Sequence, residues 1–232
     1  MRKYDAYKEE VLVCTRWLSE HGYFGALRGT GENVSVRVPG ELAVAVTPST
    51  LPYRDLSPAD ICIVDFDLQI IEGAYPPSVE TGMHIAVYRN RLDVNAVVHT
   101  HQVKVSVLSL IDTPLPALYD EVALHLGDEV AVVPYALSGT PELIENVAAQ
   151  LGNNCHGYIL QNHGALNLGE TLEKAWLNVE LLEKAAETYI AALATGRAVK
   201  LLPKDIVDLL VILRKDAQDK ASAKNRELLE AS

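Results

Sequence analysis

Two periods of hydrophobic repetition run through the chain, and the switches between them predict its elements. Over residues 9–20, Val11, Leu12, Trp17 and Leu18 fall at helical spacing and Gly22 follows as a stop, which predicts an amphipathic helix. The period then drops to two. Asn33-Val-Ser-Val-Arg-Val38 alternates as a strand does, residues 42–46 make a second strand, and Pro39-Gly40 between them marks a hairpin turn. A third strand over 61–64 turns at Asp65-Phe-Asp67 into a short one at 69–71. After the Pro76-Pro77 break, Ser78 is placed to cap a helix over 79–89. There follow an apolar strand running into His99, a helix over about 103–110, a strand over 130–133, a helix over 141–151 and a strand at Tyr158-Ile-Leu160. Residues 171–194 predict a long amphipathic helix, and 205–214 begin another. Its continuation over 215–230 is so densely charged that a solvated or frayed tail is expected.

With no internal repeat, low-complexity tract or linker, this order reads as a single domain over residues 1–232, with a charged helical tail from about 215. No apolar run approaches the ~20 residues of a membrane span. The start, Met1-Arg-Lys-Tyr-Asp-Ala-Tyr7, lacks a signal peptide's apolar stretch, so no membrane partner is expected. Cys14, Cys62 and Cys155 are odd in number and scattered, as the reduced core thiols of a cytoplasmic protein are. A net charge of −11 argues against nucleic acid, whose binding depends on Lys and Arg contacts to phosphate. A small anion could still bind in one local pocket.

The candidate chemistry begins at Val97-Val-His-Thr-His101. Side chains of a strand alternate faces, so His99 and His101 point the same way and can share one ion. His163, in Gln161-Asn-His-Gly164 at the end of another apolar run, is a third imidazole, with a glycine beside it that lets the chain turn. Three His without a fourth protein ligand suit a catalytic rather than a structural metal site. Three polar loops are candidates to converge on it. Arg28-Gly-Thr-Gly-Glu-Asn33, with the Thr30 and Asn33 side chains, can form an anion nest. Thr47-Pro-Ser-Thr50 offers the Ser49 and Thr50 hydroxyls, and Pro77-Ser-Val-Glu80 opens a helix whose amides favour anions. Taken alone, each loop reads more readily as turn chemistry, and Glu80 as an acidic first-turn residue. His84, on the face of Glu80, reads as structural. Asp120-Glu121 fixes no role, and His21, His125 and His156 carry no pattern.

Together these pieces resemble the class II aldolase/adducin family, which includes fuculose-phosphate aldolases, ribulose-phosphate 4-epimerases and methylthioribulose-phosphate dehydratases. The resemblance spans roughly residues 11–201. It rests on four motifs in family order: Thr30-Gly-Glu-Asn-Val-Ser-Val-Arg37, Thr47-Pro-Ser-Thr-Leu-Pro-Tyr53, Pro77-Ser-Val-Glu-Thr-Gly-Met-His84 leading to Val97-Val-His-Thr-His101, and Asn162-His-Gly164. It implies an α/β fold with a central, largely antiparallel sheet between helical layers. It also implies Zn²⁺, or another divalent ion such as Mn²⁺ or Co²⁺, on His99, His101 and His163. Glu80 would be the acid/base, with substrate or phosphate held by Thr30, Asn33, Ser49, Thr50 and Ser78. A homotetramer with active sites at subunit contacts is the family habit, and the apolar face of the helix over 171–194 is a candidate contact.

Glu rather than Asp at position 80 favours aldolase over epimerase within this resemblance. The expected reaction is retro-aldol cleavage of a small ketose phosphate or a related sugar-like substrate, with the metal as Lewis acid. The alternatives are a decarboxylase of the same family acting on a sugar acid or hydroxy acid, and a non-catalytic scaffold like adducin's head domain. The chain departs from the family pattern at Glu32 and Thr50, where glycines are usual, and at Val79, where a second serine is usual. The nearest match to a tyrosine that fuculose-phosphate aldolase uses is Tyr119, and no Tyr follows Tyr189. These departures argue against fuculose phosphate itself, and a Glu32 carboxylate facing the anion loop would repel a phosphate.

Overall fold

The computed structural model describes residues 2–25 and 31–231. Its frame is one nine-stranded sheet in the order β4-β3-β2-β1-β5-β9-β8-β7-β6. The strands are β1 (Asn33–Arg37), β2 (Ala43–Val46), β3 (Cys62–Asp65), β4 (Ile70–Glu72), β5 (Ala96–Thr100), β6 (Leu115–Pro116), β7 (Glu129–Val133), β8 (Gly157–Leu160) and β9 (Gly164–Gly169). Every neighbouring pair is antiparallel except β7 with β8. Seven α-helices cover it among the described residues: α1 (Asp5–Glu20), α2 (Thr81–Asn90), α3 (Val103–Leu110), α4 (Asp120–His125), α5 (Pro141–Gln150), α6 (Leu172–Ala194) and α7 (Lys204–Glu230). The expected single α/β domain with a largely antiparallel sheet is what forms.

Strand alternation divides the apolar side chains between two faces. Val44, Val46, Val64, Val97, Leu166 and Leu168 pack with Met83 and Val87 of α2 and Leu143 and Val147 of α5. On the opposite face Val34, Val36, Ala45, Ile63 and Val98 meet Val11, Leu12 and Leu18 of α1 and Ala175 and Val179 of α6. A third cluster joins Val105 and Leu108 of α3, Val122 of α4 and Leu182 and Ala185 of α6 over Ile159 and Ala165. Helices therefore lie on both faces, and the central strands are buried throughout.

Three expectations are corrected. First, residues 164–169, to which the sequence assigned no element, pair as β9 with both β5 and β8. Second, α2 begins at Thr81, not at residue 79, and Ser78 makes no cap bond to a helical amide. Residues 76–78 are held extended instead: Ser49 N–H donates to Pro76 C=O (2.8 Å) and Ser78 N–H to Thr47 C=O (3.1 Å). Third, residues 215–230 are a continuous part of α7 rather than a frayed tail. Arg214, Gln218 and Asn225, spaced along one face, bond to Ala123 C=O (3.0 Å), Asn154 C=O (2.8 Å) and Leu92 C=O (2.7 Å). The apolar stripe ends near Arg214 and a polar stripe takes over the docking. Among the described residues no helix is long and apolar enough to cross a membrane.

Candidate metal centre

The turn between β8 and β9 carries His163 to the end of β5, where His99 lies within the strand and His101 just beyond it. The ligand nitrogens of the three imidazoles lie within 4.8 Å of one another. Gly164 permits this approach: a Cβ there would overlap the Thr100 carbonyl oxygen and stand 2.7 Å from His101 Cδ2. The requirement is proximity, and Asn162 (φ 54°) makes the turn.

The second edges of the rings decide what the cluster can do. His99 Nδ1–H donates to Ala165 C=O (2.9 Å), and His101 Nδ1 stands 3.1 Å from the Glu32 carboxylate. With both ring protons on Nδ1, the Nε2 atoms of His99 and His101 face each other as lone pairs at 3.1 Å. Two lone pairs at that distance repel unless a cation is shared between them. Burial disfavours a proton in that role, since it pushes His99 below its ordinary pKa. Burial and the neighbouring His99 likewise bring His163 down to about 4. Neutral imidazoles of this kind are the donor set a divalent metal ion requires.

Glu80 occupies the N-cap position of α2 yet makes no cap bond. Its side chain turns inward, 1% exposed, with Oε2 3.3 Å from His99 Nε2 and Oε1 3.3 Å from His163 Nε2. Asn33, paired in register with His99 across β1 and β5, donates to Oε2 (2.9 Å), and Ser138 donates to Oε1 (2.8 Å). Burial alone would raise the Glu80 pKa. At the low pH where His99 and His163 carry protons, those two charges and the two donors outweigh it and bring the carboxyl down to about 2, so Glu80 is ionised at neutral pH.

Of the predicted substrate loops, Asn33 reaches the centre directly. The loops of Ser49 and Ser78 lie side by side through main-chain bonds, and Ser78 accepts from the Glu80 amide (3.3 Å). Among the described residues the Ser49 and Thr50 hydroxyls make no bond to the imidazoles or Glu80. Thr50 has φ 69°, the left-handed region that favours glycine. Thr30 lies outside the described residues. His84 stands apart, with Nδ1 2.7 Å from Ser35 Oγ and burial pushing it to about 3.

The sequence reading gave no role to two contributors. Ser138 lies in a turn before α5 with nothing local to mark it. Tyr53 sits within a quoted motif but had no role; its hydroxyl donates to Glu32 C=O (2.5 Å) with Glu32 Oε2 at 3.2 Å. Glu32, expected as a charge beside the anion loop, is buried at 4% with its carboxylate against His101 and Tyr53; residues 26–30 of that loop lie outside the described residues.

Residues 9–190 match the family model described as "Class II Aldolase and Adducin N-terminal domain". An L-fuculose phosphate aldolase of Escherichia coli O6:H1 is 37% identical over 192 residues, 82% of this chain and 86% of that protein. A 5-deoxy-D-ribulose 1-phosphate aldolase of Bacillus thuringiensis serovar kurstaki is 33% identical over 80% of this chain and 86% of its own length. A solved L-fuculose 1-phosphate aldolase structure superposes with a TM-score of 0.84 at 31% identity, covering 90% of this chain and 96% of the other. With the fold, the histidine cluster and these matches in agreement, the chain belongs to the class II aldolase and adducin N-terminal domain family.

Proposed function

We propose that this protein is a divalent-metal-dependent aldolase that cleaves a small ketose 1-phosphate, with His99, His101 and His163 as metal ligands and Glu80 as acid/base. One observation carries the reading: Nε2 lone pairs of two imidazoles are aimed at each other, with an ionised carboxylate 3.3 Å from the Nε2 of His99 and of His163. The bound ion supplies Lewis acidity toward a ketose carbonyl and stabilises negative charge that develops on it. The remaining work falls to the chain. In the synthetic direction Glu80 takes the proton from the carbon beside the carbonyl; in cleavage the hydroxyl that becomes the aldehyde oxygen gives up its proton as the carbon–carbon bond breaks, and Glu80, charged with that proton, delivers it to the carbon left behind. Asn33 and Ser138 hold the carboxylate by its two oxygens and set its direction. Ser49, Thr50 and Ser78, on two loops already bonded to each other, are the proposed phosphate contacts, together with Thr30.

The relatives act on two different ketose phosphates by name, which supports the substrate class without choosing among stereoisomers. Zinc is the proposed ion, because three imidazoles are a borderline-soft donor set. Three buried free thiols support a cytoplasmic setting. A homotetramer is proposed from exposed apolar side chains on α3 (Val103, Leu110) and α7 (Leu209, Ile212, Leu213), each more than half exposed. The α6 face expected to serve this purpose is spent on the core. The test is metal analysis joined to a panel of ketose 1-phosphates and sugar acids. Aldehyde release with stoichiometric metal supports the reading, and CO₂ release from an acid would replace it with a decarboxylase. Light scattering should give a multiple of 25.3 kDa.

A further inference from the structure

Glu32 is a buried carboxyl group: its side chain is 3% exposed, and among the described residues no Lys or Arg pairs with it. A carboxylate removed from water is costly unless it is paired and hydrogen-bonded. Its polar partners are the Tyr53 hydroxyl, near Oε2, and His101 Nδ1, 3.1 Å from Oε1. Tyr53 is itself buried and packs its ring on Phe24 at 4.8 Å, so the carboxylate is approached from a fixed wall.

His101 is the ring most in need of such a tether. Its side chain is 31% exposed, against 0% for His99 and 14% for His163, and it lies past the end of β5 where strand pairing no longer holds it. His99 is oriented by a backbone carbonyl, whereas His101 is oriented by a charge. Gly31 clears the space, since a Cβ there would stand 3.3 Å from His101 Cε1.

Building on the metal-site reading above, we propose that Glu32 is a positioning residue that fixes the His101 tautomer and strengthens its Nε2 as a metal ligand, with Tyr53 holding Glu32 in place. Hydrogen bonding from Nδ1–H to a carboxylate leaves the Nε2 lone pair directed at the ion and makes it more basic. The residue that looked, in sequence, like a charge set against phosphate is thereby turned to the metal side of the site.

The test is Zn²⁺ affinity by chelator competition on the full chain, comparing wild type, Glu32→Gln, Glu32→Ala and His101→Ala. It is joined to hyperfine-shifted imidazole N–H signals in the Co²⁺-loaded proteins. Affinity should fall by roughly 10-fold in Glu32→Gln and up to about 100-fold in Glu32→Ala, the span expected for lost outer partners. Glu32→Ala should also lose the slowly exchanging His101 N–H signal while keeping that of His99. Unchanged affinity in both Glu32 variants, or weakened affinity with the His101 signal intact, would overturn the role of Glu32. Wild-type affinity in His101→Ala would instead sink the ligand assignment on which it rests. Tyr53→Phe keeps the packed ring and should weaken binding in the same direction but by less than Glu32→Gln, since the carboxylate itself remains. If Glu32→Ala misfolds, that variant decides.

Discussion

Two clusters in this molecule bury a histidine beside a carboxylate, and they are built to opposite rules. Around Arg91, Asp93 and His156 the protein closes on itself. The Arg91 guanidinium grips Asp93 through two bonds (2.8 and 2.7 Å) and reaches Cys155 C=O (2.9 Å). Gln218 of α7 donates to His156 Nε2 (2.9 Å), so that lone pair is used by a neighbouring donor. In the histidine cluster the opposite holds: Nδ1 of His99 and of His101 faces an acceptor, and the Nε2 atoms face one another and Glu80. A buried polar group satisfied by its own chain adds specificity of fold. Lone pairs converging without donors between them specify a cation. Burial and carboxylate proximity are common to both clusters, so the direction of the lone pairs is what separates a binding site from a fastener.

The largest effect should come from removing one converging nitrogen. His99→Ala should lower metal affinity by more than about 100-fold, beyond the loss expected of an outer partner, and abolish turnover while the chain stays folded. Full metal content in that variant, measured by atomic emission after dialysis, would refute the ligand set. Glu80→Gln should cost about 10²–10⁴-fold in turnover, the usual contribution of an acid/base, with metal content near wild type. Proton exchange in D₂O at the donor carbon of a product such as dihydroxyacetone phosphate should disappear with it. Undiminished exchange would move the proton to another group.

The fastener should respond in stability alone. Asp93→Asn breaks a buried charge pair and should cost about 3–5 kcal/mol in denaturant unfolding at neutral pH, with turnover per folded molecule unchanged. Burial works against ionisation of Asp93, but the bonds from the Arg91 guanidinium win and hold it well below the ordinary carboxylate range. A depressed folded pKa gives stability that is complete above the unfolded value, about 3.9, and is lost as pH falls toward the lower folded one. The gap between wild type and Asp93→Asn should therefore narrow below about pH 4. A gap constant down to pH 2 would contradict the pairing.

How far each cluster was legible follows from the same contrast. The spacing His99-Thr-His101 announces a shared face because a strand's period is two, and the motif around His163 completes the set. The Arg91 cluster sends no such signal, since Asp93, His156 and Gln218 meet only in the folded chain. Strand β9 was hidden because Gly164 and Gly169 bracket a short Ala-Leu-Asn-Leu alternation that reads as a continuing loop. The docking of α7 was hidden for a related reason: Arg214, Gln218 and Asn225 hold it through polar bonds, and hydrophobic periodicity does not register them. Glu32 was seen only as a charge beside the anion loop, and its contact with His101 was not, because a sequence shows which loop a charge belongs to and not which way it faces.

Gln218 gives the smallest and most discriminating measurement. Its amide donates both to Asn154 C=O (2.8 Å) and to His156 Nε2 (2.9 Å), so Gln218→Ala leaves two buried acceptors to be resatisfied. One of them is partly covered, since Arg91 also lies 3.3 Å from Asn154 C=O. The net cost should accordingly be about 1–2 kcal/mol, near that of one buried acceptor left unsatisfied rather than a broken ion pair. Hydrogen exchange should quicken first in the second half of α7, where Asn225 is left as the main anchor. Metal affinity and turnover should not move, because no residue of this cluster touches Glu80 or the three imidazoles. A fall in either by 10-fold or more in Gln218→Ala would mean that the fastener and the metal centre are one energetic unit, and the distinction drawn from their lone pairs would fail.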